Sequence, residues 1–376
     1  MTRKRKLIYA LFTVLALLGL AEGTLRLAGF RYQRVTTYLQ FNYPRPGFLK
    51  AFFEIDPDLL YRIRPTVKQR YAHLTWQPRF DLKIRDPRTF GAKPPGTIRI
   101  VALGDSSTYG VNTEEPWPWL LQRRLDGSGG PGRFQVLNLG VPGYTAFQGR
   151  RVLETRGERL EPDVVVVYFG WNDHILALGY ADEDQRVGGE TVVATRNLLA
   201  ASRLYQALSW LVATLRGEPG PDGRAPRTEP EGGDGVDPLL APKRRVGPRA
   251  FARELRAMVA VSRALGAVPV LCTYPTALTY LTQHELAPPG WLAETHVGYG
   301  GLDEVVRLQD LYNLAVHEIG RETGSPVLDL DAAFRRRGVG SLFDEPGGDM
   351  IHPSRQGYAL IAEMVYQALP ALGAGR

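Results

Sequence analysis

From Thr97 onward the chain alternates short apolar runs with longer amphipathic stretches. Ile98, Ile100, Val101, Ala102 and Leu103 form a nearly continuous apolar run between Pro94-Pro95-Gly96 and Gly104. That is the pattern of a strand buried on both faces. The same pattern predicts strands over 134–139, 163–169, 268–274 and 326–331, with Val164–Phe169 the strongest signal. Helical spacing of apolar residues predicts helices over 117–125, 149–160, 248–265 and 302–322. A last helical pattern runs through Leu360, Ile361, Met364 and Val365. Five strands separated by helices predict an α/β fold, a three-layer α/β/α sandwich around a five-stranded parallel sheet.

Other stretches break this rhythm. Residues 1–30 begin with Arg3-Lys-Arg-Lys6 and continue into Leu7–Ala21, which carries no charge. Fifteen helical residues span only about 22 Å, short of a hydrocarbon core of about 30 Å. Continuing to Phe30 reaches that length, with Glu22 and Arg26 spaced i, i+4 to pair at the far interface. Two readings stand: an uncleaved signal anchor, or a signal peptide cleaved after Gly19-Leu-Ala21. Both export the rest of the chain, membrane-anchored and extracytoplasmic (periplasmic in a bacterium) or secreted. Residues 31–96 are aromatic, basic and proline-punctuated, with short strands and turns expected over 56–65 and 79–85. They read either as a packing extension or as a flap over the substrate. Within the main domain, 97–373, residues 216–247 are rich in Gly, Pro, Glu and Arg and read as a disordered surface insertion. The segment 275–300 is long enough to wall a site.

Composition narrows the function. A chain of 376 residues with 44% hydrophobic content can bury a full core. The net charge of +7 and pI of 9.4 are spread through Arg-rich loops without a nucleic-acid motif, so no nucleic-acid partner is expected. The single cysteine, Cys272, lies in an apolar run; it excludes an internal disulfide and reads as a buried, inert thiol. Asp173 and His174 adjoin a candidate site but lack partners at metal-ligand spacing. No metal or cofactor is expected.

Candidate chemistry sits where strands end. Gly104-Asp105-Ser106-Ser107 follows the first strand, Gly140-Val-Pro-Gly143 the second and Gly170-Trp-Asn172-Asp173 the third. Asp349-Met-Ile-His352-Pro353 precedes the last helix. The carboxyl edge of a parallel sheet is where open α/β folds place their ligand sites. A Ser hydroxyl needs a neighbouring base, and the base needs a partner that fixes its tautomer. Asp349 and His352, three apart, can be presented by one turn, and Pro353 suits a first helical turn. Each motif alone also has a plain structural reading: a turn serine, a turn glycine, a loop cap, a helix N-cap.

Taken together, in this order, the four blocks resemble the SGNH (GDSL-type) hydrolase superfamily over about 97–369. The resemblance implies an SGNH/flavodoxin-like sheet and a serine esterase working through an acyl-serine intermediate. It implies Ser106 as nucleophile, His352 as base and then acid, and Asp349 as the orienting carboxylate. The backbone N–H groups of Ser106 and Gly143 and the side-chain amide of Asn172 would form the oxyanion hole. Gly143 rather than Gly140 matches, because the family's glycine follows the asparagine, here Asn138, by five positions. Asn138 itself reads as structural. Ser107 stands where the family's leucine would be, which loses subfamily information and leaves a Ser107 nucleophile as an alternative. Compartment and analogy point to an acetyl or short-chain ester on a cell-envelope glycan or lipid. The alternatives are an O-acyltransferase acting on extracytoplasmic glycans and a glycan-binding or assembly protein with an inactive site.

Overall fold

The computed structural model describes residues 2–30, 32, 51–68, 73–177, 181–185, 187–215, 244–283, 301–343 and 349–372. Helix α1 (Arg3–Leu27) is followed by two antiparallel hairpins, β1 (Phe53–Asp56) with β2 (Leu60–Ile63) and β3 (Leu74–Gln77) with β4 (Leu82–Arg85). Next come β5 (Ile98–Gly104), a one-turn helix α2 (Ser106–Tyr109), α3 (Trp117–Gly129), β6 (Phe134–Gly140), α4 (Ala146–Leu160) and β7 (Val164–Tyr168). Helices α5 (Glu190–Leu199), α6 (Arg203–Leu215) and α7 (Pro248–Ala264) lead to β8 (Val268–Cys272), then α8 (Leu278–Gln283) and α9 (Leu302–Thr323). Strand β9 (Val327–Leu328), α10 (Leu330–Arg337) and α11 (Arg355–Ala368) complete the order.

Strands β5 to β9 form one parallel sheet in the order β6-β5-β7-β8-β9. Alternation along each strand splits the core in two. Val101, Leu103, Leu137, Leu139, Val165 and Val167 face a cluster shared with α4, α7 and α9. Ile100, Ala102, Val136, Val164, Val166 and Val270 face the other, shared with α3 and α11. A sheet covered on both faces explains why the strands read as unbroken apolar runs. The chain steps from β5 to β6, then back across β5 to β7, so the carboxyl end of β5 lies at a topological switch point.

The sequence expectations hold for the sheet and its main helices, with differences at the ends. Helix α4 begins at Ala146 rather than 149, because Thr145 and Gln148 form a capping box that satisfies the first turn. The run at 326–331 keeps only two residues as strand. The Asp329 side chain accepts from Ala332 N–H (3.0 Å) and starts α10 at Leu330. Helices α5 and α6 were not anticipated. The hairpins place Phe53, Leu59, Tyr61, Phe80 and Ile84 in the same core cluster as α4 and α7, so their described residues act as packing. Of the expected insertion, 216–243 lies outside the described residues, but Arg244–Gly247 are folded and Arg245 is fully buried. Most of the 275–300 segment, 284–300, also lies outside them. Cys272 is buried, and burial raises its thiol pKa.

Candidate active site

Strand β5 ends at Gly104, where an added Cβ would meet Thr108 Oγ1 at 2.0 Å. Only a glycine lets helix α2 fold back this closely. Asp105 caps that helix by accepting from Ser107 N–H at 2.9 Å. Gly110, left-handed at φ 80°, ends it. Arg85, reaching across from β4, donates to the carbonyls of Tyr109 (2.5 Å), Gly110 and Thr113. The turn carrying Ser106 is thus fixed at both ends.

Ser106 Oγ lies 2.7 Å from His352 Nε2, and His352 Nδ1 lies 2.5 Å from Asp349 Oδ2. Asp349 Oδ1 accepts from the backbone N–H groups of Ile351 (3.1 Å) and His352 (3.0 Å). The same carboxylate therefore shapes the turn and orients the ring. Burial alone would raise the Asp349 pKa, but the hydrogen bonds and charge of His352 and the two N–H groups outweigh it and hold the carboxyl at about 2. An ionised Asp349 only accepts, so His352 carries its proton on Nδ1 and presents Nε2 as an acceptor to the Ser106 hydroxyl. Pro353 does not occupy the first helical turn. It pairs with Phe343 ahead of Ser354, which caps α11 by accepting from Gly357 N–H at 3.3 Å.

Gly143, at φ 80°, and Asn172 close the same edge from the loops after β6 and β7. Among the described residues the backbone N–H groups of Ser106 and Gly143 donate to nothing. Asn172 Nδ2 donates to Asp105 Oδ2 (3.0 Å) and to the Tyr144 carbonyl (3.2 Å). Asn138 bonds Thr108 O (3.0 Å) and Gly140 N–H (2.9 Å), a structural role. Ser107 is fully buried, its Oγ 2.6 Å from the Tyr274 hydroxyl, and its hydroxyl is not the one paired with His352. Burial lifts Asp105 from 3.8 to about 6, with Ser107 N–H, His352 and the Tyr274 hydroxyl pulling the other way. Burial lowers His174 to about 3, so it is neutral, and its Nε2 lies 3.2 Å from Gln309 Oε1. Asp173 accepts from Ala146 N–H at 2.8 Å, and burial raises its pKa. Neither neighbour joins a cluster of three or more metal-ligating side chains among the described residues.

Three neighbours of the site escaped sequence reasoning. Asn112 donates to Asp349 Oδ2 at 2.6 Å. Tyr274 lies 3.3 Å from Asp105 Oδ1, and Arg85 holds the end of α2. Tyr274 is the last residue of the strand predicted over 268–274 and lies two residues past the observed end of β8, the one positional signal among them.

The GDSL-like lipase/acylhydrolase family profile matches residues 102–360. No curated protein matches the sequence. Among solved structures, the lipase/acylhydrolase from Enterococcus faecalis is 17% identical, covers 73% of this chain and 96% of its own, and has a TM-score of 0.43. A GDSL-like lipase from Bacteroides thetaiotaomicron is 14% identical over 75% and 92% of the two chains, at 0.42. Axe2, an acetylxylan esterase from Geobacillus stearothermophilus crystallised as a catalytic mutant, is 17% identical over 75% and 96%, at 0.42.

Proposed function

The chain belongs to the GDSL-like lipase/acylhydrolase family and is a serine ester hydrolase; from that premise we propose that it removes an acetyl or other short acyl group from a cell-envelope glycan or lipid, with Ser106 as nucleophile. The hydrogen-bonded chain Ser106–His352–Asp349 is the observation that carries this reading.

In this reading each group has a task. His352 Nε2 takes the Ser106 proton as Oγ attacks the acyl carbonyl, and Asp349 stabilises the imidazolium that forms. The negative charge that develops on the carbonyl oxygen is met by the N–H groups of Ser106 and Gly143, which donate to nothing else among the described residues, and by the Asn172 amide. Asn172 reaches that oxygen in competition with the Tyr144 carbonyl it now bonds. Collapse of the tetrahedral species breaks the bond to the alcohol, which leaves with the proton from His352. A water then repeats the cycle on the acyl-serine: His352 takes its proton, the acid departs and Ser106 regains its hydrogen.

The proposed placement is supported by α1, a helix long and apolar enough to cross a membrane, whose apolar window has a mean hydropathy of 1.8 and no buried residue. In this reading α1 is a signal anchor, Arg3–Lys6 stays cytoplasmic and the catalytic domain is extracytoplasmic. The extracytoplasmic compartment is what makes an envelope glycan or lipid the acyl carrier. The test is labelling by a fluorophosphonate together with turnover of a graded series of acyl esters. Ser106-dependent labelling with preference for acetyl is expected. A folded protein that neither labels nor turns over any ester would overturn the reading in favour of a binding protein.

A further inference from the structure

Behind Gly143 lies a buried ion pair that the reaction as described does not use. Arg245 and Asp182 are 0% and 1% exposed. Arg245 Nη2 donates to Asp182 Oδ2 at 2.8 Å and Nε to Oδ1 at 3.2 Å. The two residues also meet through the backbone, Asp182 N–H donating to Arg245 O at 2.8 Å. Arg245 N–H donates to Ile175 O at 2.8 Å, so the pair closes the neck of the excursion that separates β7 from α7. Such a pair is expensive to desolvate and contributes little net stability. What it touches is more informative.

Arg245 Nη1 donates to the Gly143 carbonyl at 2.7 Å. On the other side of Gly143, the fully buried Tyr61 hydroxyl donates to the Pro142 carbonyl, at a longer 3.4 Å. Thr145 Oγ1 donates to Asp182 Oδ2 at 2.9 Å, tying the next turn to the same carboxylate. A trans peptide points its C=O and N–H in opposite directions. A donor on the Pro142 carbonyl therefore aims the Gly143 N–H away from the core, and it polarises that N–H into a stronger donor. Arg245 holds the following peptide. With both flanking peptides fixed, Gly143 is kept in the left-handed conformation seen here, at φ 80°.

We propose that Arg245, backed by Asp182 and joined by Tyr61, is a positioning residue that aims the Gly143 N–H at the reacting oxygen. This rests on the assignment of Gly143 as an oxyanion donor. It gives residues from the first hairpin and from the neck of the β7–α7 excursion a share in catalysis without contact with substrate.

The test uses the full-length protein, 4-nitrophenyl acetate and a fluorophosphonate. Removing one oxyanion donor costs about 100- to 1000-fold in kcat, so misaiming one should cost about 10- to 100-fold. Arg245→Met should show that fall with KM changed less than about threefold, and phosphonylation of Ser106 should slow in step. Arg245→Lys should restore part of it, and Tyr61→Phe should lose only a fewfold. Arg245→Met combined with Asp182→Leu removes both charges and leaves neither buried alone, which keeps the test readable if the single variant does not fold. A folded Arg245→Met or paired variant with kcat within about twofold of the parent would overturn the proposal. If neither folds, unchanged kcat in both Arg245→Lys and Tyr61→Phe would do so. Wild-type labelling separates the two levels: its absence removes the serine-hydrolase site, whereas its presence with unchanged variants removes only the role of Arg245.

Discussion

Asn112 and His352 share one oxygen: the Asn112 amide lies 2.6 Å from Asp349 Oδ2, the atom that also takes the His352 Nδ1 hydrogen bond at 2.5 Å. The carboxylate is therefore pinned on the side that faces the ring as well as by the two backbone N–H groups on its other oxygen. Asn112→Ala leaves Oδ2 to the imidazole alone, which favours the protonated ring. In the proposed mechanism the neutral ring is the base, so the acid limb of kcat/KM should move to higher pH, with kcat falling about three- to tenfold. Asp349, at about 2, stays ionised across that range and contributes no limb of its own. A profile identical to the parent's would show that Asn112 is incidental.

The two adjacent serines separate by partner: Ser106 Oγ meets His352 Nε2, whereas Ser107 Oγ meets the Tyr274 hydroxyl. Ser106→Ala should abolish fluorophosphonate labelling and ester turnover with little change in melting temperature. Ser107→Ala should keep labelling and lose about 1 kcal/mol of stability, since Tyr274 forfeits its 2.6 Å partner but keeps Asp105 at 3.3 Å. Labelling that survives in Ser106→Ala and disappears in Ser107→Ala would reverse the assignment.

The sheet and the four blocks were legible because strands buried on both faces leave unbroken apolar runs, because the first three blocks each end a strand and because the fourth stands just ahead of the last helix. Val164–Val167 and Ile98–Leu103 needed no tertiary information. Arg85 and Arg245 did: each lies far along the chain from the loop it holds, and neither an arginine closing a short strand pattern, as Arg85 does, nor one in a polar, Gly-rich stretch, as Arg245 is, gives a sign that it is buried. Arg245 fell within a stretch read as too polar to pack, yet it is fully buried because Asp182 and the Gly143 carbonyl satisfy its guanidinium. The one-turn helix α2 was read as a turn, since four residues cannot display helical periodicity.

Asp105 makes stability depend on pH in an unusual direction for a carboxylate. Its pKa is raised from 3.8 to about 6 when folded, mainly by burial, so the folded state holds its proton more tightly than the unfolded one. The stability it contributes is complete below 3.8 and is lost as pH rises through about 6. The difference corresponds to about 3 kcal/mol. Asp105→Asn should remove this slope, so the melting temperature of the parent should fall relative to the variant between pH 4 and 6. The variant should also lose activity, because its amide meets the Asn172 donor instead of accepting from it. Parallel pH–melting curves for the two proteins would show that Asp105 ionises freely when folded.

Glu22 ties the end of α1 to the folded domain. It accepts from the N–H groups of Arg203 (3.0 Å) and Leu204 (2.8 Å) at the start of α6, and from Ser202 Oγ (2.8 Å). Arg26 completes the i, i+4 pair at 2.7 Å. In the anchor reading, full-length protein stays with carbonate-washed membranes and residues beyond Phe30 are open to external protease. A soluble mature chain starting at Glu22 would establish cleavage instead.

Hydrolysis and transfer share every residue of the site, so the products decide between them. In the proposed mechanism both pass through an acylated Ser106, and the outcome depends on whether water or an acceptor hydroxyl reaches it first. A transferase must exclude water and hold the acceptor within reach of His352 Nε2. The described residues of the two hairpins pack into the core beside α4, while 33–50, 69–72 and 284–300 of the two covers the sequence suggests lie outside the described residues; the match to an acylhydrolase family favours water as the acceptor. Free acid should therefore be the main product from an activated acetyl ester, with or without oligosaccharide present. Acylated sugar formed faster than acetate, and only with Ser106 intact, would make the enzyme a transferase and place its acceptor in the same crevice at the ends of β5, β6 and β7.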